Sequence, residues 1–163
     1  MNSAAITVRS ARRDEAPLLA GWAAAMAWET ERKHLDLPTV TRGAQRVFDE
    51  AGRGRYLIAE RGGDPAGTLL LTYEWSDWRC ADWWWIQSVY VPPAHRRQGV
   101  YAALYRHVRD EAAAREDVCG LRLYVEKENH VAMRTYSTLG MQDAGYLLFE
   151  EQMAWVKQVI AKA

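Results

Sequence analysis

Between Val89 and Leu104 the chain reads Val-Tyr-Val-Pro-Pro-Ala-His-Arg-Arg-Gln-Gly-Val-Tyr-Ala-Ala-Leu. An apolar run stops at Pro92-Pro93, a basic stretch with His95, Arg96 and Arg97 follows, and Gly99 precedes apolar residues at helical spacing. The first amides of a helix have no intrahelical acceptor and point outward at the positive end of its dipole. An anion binds there readily. Gly99 has no Cβ to hold a ligand off the backbone, and the arginines add charge beside the opening. An Arg-x-x-Gly on its own is ordinarily a solvated surface turn. A strand before it and a helix after it make this one a seat for a phosphate or diphosphate.

A second group of residues follows. Asn129 is of the type that caps a helix, and Ala132, Met133, Tyr136 and Leu139 then recur on one face up to Gly140. Tyr136 on that stripe reads as a core tyrosine.

The elements that position these residues follow from periodicity. Residues 4–9 alternate weakly as a first strand. Asp14 caps a helix to about Ala27, with Pro17 in its first turn and Leu18, Leu19, Trp22 and Met26 as its apolar stripe. A second helix follows Pro38-Thr39 and ends at the glycines of Ala51–Gly54. Tyr56–Glu60 and Gly67–Trp75 read as a hairpin through Gly62-Gly63-Asp64-Pro65. Residues 83–91 are uniformly apolar and aromatic, which predicts a central strand covered on both faces. A helix runs from Val100 to about Arg115, Leu121–Val125 is another buried strand, and Gly145–Glu150 is a last strand before a helix from Glu151. The pattern is that of one mixed α/β domain over residues 1–163.

The first segment resembles the acyl-CoA-binding motif of the GNAT superfamily of acetyl-CoA-dependent N-acetyltransferases, V-x-P followed by [Q/R]-x-x-G-x-[G/A]. Val91-Pro92-Pro93 and Arg96-Arg-Gln-Gly99-Val-Tyr101 match it, with Tyr101 in the last Gly/Ala position. Leu121–Val125 with Asn129, Ala132, Tyr136, Gly140 and Met141 resembles the strand and N-x-x-A-x-x-x-Y-x-x-x-G-[F/M] block of the same family. Together they cover roughly residues 86–146.

The resemblance implies a GNAT-type α/β fold: a mixed, mostly antiparallel sheet flanked by helices, with a parallel central pair that splays. The CoA-binding core would lie at about 83–146. Main chain at Val89 and Val91 would pair with the pantetheine arm, and the Val89 amide would also face the thioester oxygen. Backbone at Arg97, Gln98, Gly99, Val100, Tyr101 and Ala102, with Arg96 or Arg97 nearby, would hold the pyrophosphate. Asn129 would add a side-chain contact to the arm, and Tyr136 would protonate the leaving thiolate. Acetyl-CoA is the implied co-substrate, with no metal.

The base is open. An acceptor amine arrives as ammonium, with a reference pKa near 10.4 for a lysine-like group, and must lose a proton. No acidic residue lies between Trp83 and Val91. Gln87 and Ser88 could order a water, Glu74 is the nearest acid on the preceding strand, and Glu29 and Glu31 follow the first helix. Trp75, Trp78, Trp83, Trp84 and Trp85 crowd into eleven residues with Glu74, Asp77 and Asp82. Aromatics on strands are ordinarily core. Here they also suggest a wall, including Trp85, for a cationic acceptor such as a polyamine.

The expected reaction is acetyl transfer in a ternary complex to a primary amine of a small molecule, with Tyr136 and Glu74 as the catalytic pair and Glu29, Trp85 and Gln87 toward the acceptor. A CoA-binding module without activity, or transfer to a protein or peptide amine, are the alternatives. Lys+Arg and Asp+Glu both number 21, so no net charge draws the chain to nucleic acid or an anionic membrane. Cys80 and Cys119 form no C-x-x-C pattern, no apolar run reaches the roughly 18 residues of a membrane span, and Met1–Arg13 lacks a signal-peptide layout. A cytoplasmic protein is expected, and a homodimer, common in the family, is compatible with all of this.

Overall fold

The computed structural model describes residues 5–158 and 160–162. The elements in chain order are β1 (Ile6–Ser10), α1 (Ala16–Glu31), β2 (Lys33–Leu35), α2 (Leu37–Asp49), β3 (Arg55–Arg61), β4 (Asp64–Ser76), β5 (Ala81–Tyr90), α3 (Val100–Ala113), β6 (Val118–Leu123), α4 (His130–Thr138) and β7 (Ile160–Lys162). Five strands form one sheet in the order β1-β3-β4-β5-β6. Its pairs are antiparallel except β5–β6, which is parallel. A parallel pair needs a crossover, and α3 supplies it.

Period-two alternation sorts the sheet into two faces. Leu57, Leu69, Leu71, Trp84 and Ile86 are buried on one, against Val100, Leu104 and Val108 of α3. Those three α3 residues recur four apart, so one helical stripe covers the face. Ile58 of β3 turns to the other face, where it packs with Ala16 and Leu19 of α1 and Ala44 of α2. The sheet is thus a septum between two helical layers.

The start of α1 departs from expectation. Asp14 is not its cap. Arg13–Glu15 form a short 3-10 turn, and the Glu15 carboxylate accepts from the Arg12 amide at 2.7 Å. Arg9 of β1 grips the same carboxylate through two N–H groups, at 2.8 and 2.7 Å, and donates to Glu60 of β3 at 2.7 Å. A carboxylate held by a neighbouring strand outcompetes Asp14, which faces water. The helix also runs past Ala27 to Glu31, so Glu29 and Glu31 lie within it. For α2 the cap is Asp36, accepting from the Thr39 amide at 3.0 Å.

Three further expectations need correction. β5 is central, yet only its end is covered on both faces: Trp84 and Ile86 are buried toward α3 and Tyr90 is buried beside Trp22 of α1, whereas Trp83, Trp85 and Gln87 look onto a partly open face. The helices α1 and α2 cover the β3 side, and α1 reaches β5 at Tyr90 while leaving Trp83–Gln87 uncovered. β6 starts at Val118 and stops at Leu123, before Val125. Gly145–Glu150 forms no strand, and Tyr146, Leu147, Leu148 and Phe149 are exposed. A strand exists only through a ladder, and among the described residues nothing pairs with this segment. In place of a helix from Glu151 there is a 3-10 turn at Ala154–Gln158, and then β7 pairs antiparallel with β2.

Candidate active site

The parallel ladder β5–β6 ends at Ile86 opposite Leu123. β5 continues to Tyr90, held on its other side by β4 through Leu70↔Ser88, Leu69↔Val89 and Thr68↔Tyr90. From Gln87 onward its β6 side has no strand partner among the described residues. The strands part there, and Val89 lies in the parted stretch.

Pro92 and a 3-10 turn at Pro93–His95 end the strand and turn the chain toward α3. Arg97 and Gly99 both take left-handed backbone, with φ of 60° and 83°. Alternating handedness of this kind turns successive N–H groups into one concavity, a nest for an anion. The first helical hydrogen bond of α3 runs from Ala103 N–H to the Gly99 carbonyl at 2.9 Å. Among the described residues no protein group accepts from the N–H groups of Arg97 through Ala102. A Cβ built on Gly99 meets only Ile6 Cδ1, at 4.0 Å, so the space in front of this backbone is open. Unpaired amides, a helix N-terminus and an open approach fit a diphosphate.

The two arginines of the loop differ. The Arg97 guanidinium is exposed and has no carboxylate partner among the described residues. Arg96 donates from Nε to the Val91 carbonyl at 2.8 Å and from Nη2 to Glu29 on α1. Gln98 turns its amide to the Ala94 carbonyl at 2.9 Å and so braces the loop.

Tyr101, in the place where the motif carries Gly or Ala, packs its ring between Tyr105 and Tyr136, at centroid distances of 6.3 and 5.9 Å. Its side chain runs toward α4, which explains how the position tolerates a large residue. Its hydroxyl is buried without a partner, and burial pushes its pKa well above the ordinary tyrosine value. Tyr136 itself is half-buried, and burial raises its pKa too. That favours the protonated phenol, the form a general acid needs. Asn129 caps α4, its side-chain oxygen accepting from the Ala132 amide at 3.1 Å, which leaves its NH₂ group as donor. Gly140, with φ of 94°, and Met141, donating to the Tyr136 carbonyl at 3.0 Å, close the helix.

Glu74 does not fit the role of base. It pairs in register with Trp83, six residues before Val89, or roughly 20 Å along the strand. Arg122 of β6 donates to its Oε1 at 2.8 Å and the Trp85 indole N–H donates to Oε2. Trp85 in turn packs on Tyr124 at 4.4 Å. The imagined wall for a cation is also filled from within: the Arg122 guanidinium lies over the Trp83 ring at 4.0 Å and that of Arg79 at 5.2 Å. Gln87 is nearer the parted strands and accepts from the Thr72 hydroxyl at 3.1 Å.

Sequence reasoning passed over Tyr90, which donates its hydroxyl to Glu29 at 2.9 Å, and Arg122. The alternation Leu121-Arg122-Leu123 carried the second signal, since it turns Arg122 to the face opposite the leucines.

With this geometry in view, the chain matches the model of the acetyltransferase (GNAT) family over residues 19–141, a span that runs from within α1 through the α4 block. The protein belongs to that family. Among solved structures it is similar to a possible acetyltransferase from Clostridium difficile 630, with 36% identity over 91% of this chain and 97% of that one and a TM-score of 0.85. The fold is shared with the aminoglycoside N-acetyltransferase AAC(6')-Iy solved with CoA, at 14% identity, 93% and 97% coverage and a TM-score of 0.74. It is shared as well with a ribosomal-protein-alanine N-acetyltransferase from Brucella melitensis biovar Abortus 2308, at 16% identity, 91% and 100% coverage and a TM-score of 0.71. No curated protein matches the chain. Among the described residues no helix is long and apolar enough to cross a membrane.

Proposed function

We propose that the protein transfers an acetyl group from acetyl-CoA directly to a primary amine of a small molecule, with both substrates bound together. One observation carries the reading: the amides of Arg97–Ala102 are unpaired, and they follow in the chain on the stretch of β5 that runs past Ile86 with no β6 partner. Those amides and Arg97 take the diphosphate. The main chain of Val89 and Val91 aligns the pantetheine arm like an added strand, and the NH₂ group of Asn129 donates to it. A Val89 amide aimed at the thioester oxygen favours the charge that gathers there as the amine attacks, an effect worth a few kcal/mol at comparable sites.

Tyr136 donates its proton to the departing thiolate. The reference pKa of a thiol, about 8.5, lies below that of a phenol, about 10, so the transfer is uphill by roughly 2 kcal/mol and depends on close approach of the hydroxyl to the sulfur. Gln87, fixed by Thr72, and Ser88 order the water that takes the ammonium proton, while Glu29, its charge already met by Arg96, borders the acceptor at the end of β5. With Glu74 paired and Trp83 covered by two arginines, a polyamine-like acceptor has little support, and the reading rests on a primary amine alone.

Release of free CoA, measured with acetyl-CoA and longer acyl-CoAs against panels of small amines, amino acids and peptides, tests this. Turnover with a small amine is expected. Bound CoA with no turnover on any acceptor would make the protein a CoA-binding module, and turnover on peptides alone would move the acceptor to a protein amine.

A further inference from the structure

Glu29, Tyr90 and Arg96 come from three different elements, and their side chains meet. Tyr90 ends β5 and is buried, 8% exposed. Its hydroxyl donates to Glu29 Oε1 at 2.9 Å, and Arg96 donates to Oε2 of the same carboxylate. The Arg96 guanidinium also lies over the Tyr90 ring, 5.7 Å from its centroid, and holds the Val91 carbonyl at 2.8 Å. Trp22, two turns before Glu29 on α1, packs on Tyr90 at 6.3 Å. Both donors favour the ionised carboxylate and hold Glu29 below the usual carboxylate range, Arg96 foremost.

An exposed ion pair alone contributes roughly 0–1 kcal/mol and fixes little. This one is fixed by geometry. Each carboxylate oxygen has its own donor, and the guanidinium is held at two atoms and across a ring face. Arg96 is also the residue next to Arg97, where the unpaired amides begin. An anion that pins the backbone from Arg97 onward therefore pins the base of the Arg96 side chain. Arg96 in turn sets where the end of α1 lies over the parted strand.

We infer that Glu29, Tyr90 and Arg96 form a latch that transmits occupancy of the Arg97–Ala102 seat to the end of α1, with Arg96 serving as a positioning residue for Glu29 and not as a phosphate ligand. The inference rests on the proposed CoA seat. It makes the acceptor side of the cleft firmer when the acyl donor is in place. Coupling between two sites of this kind typically changes affinity by about 5–150-fold.

Hydrogen exchange with and without CoA reads the latch directly, because it needs neither an acceptor nor turnover. In the natural protein CoA is expected to slow exchange at two separate segments, 97–102 and 26–31, the second by about fivefold or more, the lower bound of typical coupling. In Tyr90→Phe and in Glu29→Gln, each close in shape to the original, CoA should still protect 97–102 while the protection of 26–31 is lost. The Glu29→Gln/Arg96→Ala double variant should lose no more than Glu29→Gln alone. Protection at 97–102 without any at 26–31 in the natural protein would overturn the latch and leave the seat standing. Persistence of the 26–31 effect in both single variants would do the same. Failure of CoA to protect 97–102 at all would remove the seat, and the latch with it.

Discussion

Ile86 and Leu123 are the last matched pair of the parallel ladder, and β5 runs on to Tyr90 beyond them. A strand bonded on one side only, with a left-handed loop and a helix N-terminus at its end, is the feature on which the chemistry depends.

The Gly99 position sets the first prediction. With φ at 83° and open space in front, the strain on Gly99→Val comes from the backbone, since a β-branched residue in left-handed conformation costs roughly 1–3 kcal/mol. If that strain distorts the seat, CoA affinity falls about tenfold or more, at 1.4 kcal/mol per decade. Calorimetric titration with CoA checks it, alongside a thermal melt to establish that the variant is folded. Unaltered affinity would mean the glycine is incidental to binding.

Tyr136→Phe keeps the ring contact with Tyr101, 5.9 Å between centroids, and removes only the hydroxyl. General acid catalysis commonly contributes 10²-fold or more, so kcat should fall about a hundredfold while KM for acetyl-CoA changes less than about threefold. Steady-state kinetics with a responsive amine gives both numbers. A kcat within twofold of the natural protein would reduce Tyr136 to a packing residue.

Glu15 gives a pH prediction. The Arg9 hydrogen bonds and the Arg12 amide hold its carboxyl at about 2, against an ordinary value of 4.5. A depressed folded-state pKa adds stability that is complete above 4.5 and disappears as pH falls from 4.5 toward 2. The Tm of the natural protein should therefore drop more steeply across that window than the Tm of Glu15→Gln. Melts by circular dichroism at half-unit steps measure the two slopes, and equal slopes would refute the assignment.

Gly120 of β6 faces the Trp83 ring so closely that an added Cβ would stand 2.5 Å from Cζ3. Gly120→Ala must displace the indole, which carries the Arg122 and Arg79 guanidinium groups. Overpacking of this sort costs about 1–3 kcal/mol, several degrees in Tm for a chain of this size. Urea unfolding measures the loss, and no loss would show that the ring has room to move.

Much of the site was legible because its parts are local in sequence. Pro92-Pro93, Gly99 and the helical spacing after Val100 dictate strand end, loop and helix start within a dozen residues, and Asn129 with Gly140 does the same for α4. The fold class followed from the alternation of strands and helices. What escaped depends on contacts between distant residues. Asp14 looks like a cap until Arg9, on another strand, takes hold of Glu15. Glu74 looks like a base until register puts it beside Trp83 and Arg122. The apolar run 83–91 reads as buried on both faces, because periodicity alone does not say where α1 and α2 stop. Tyr146–Phe149 has strand-forming residues yet no ladder partner, and propensity without a partner makes no strand.

The most direct measurement is an amide nitrogen–proton NMR titration comparing CoA with pantetheine, which shares the arm and lacks the diphosphate. If the account is right, CoA moves the resonances of Gly99, Val100, Tyr101 and Ala102 far downfield or into new positions, while pantetheine leaves those four in place and perturbs only Val89 and its neighbours. Equal perturbation of the four by both compounds, or none by CoA, would contradict it.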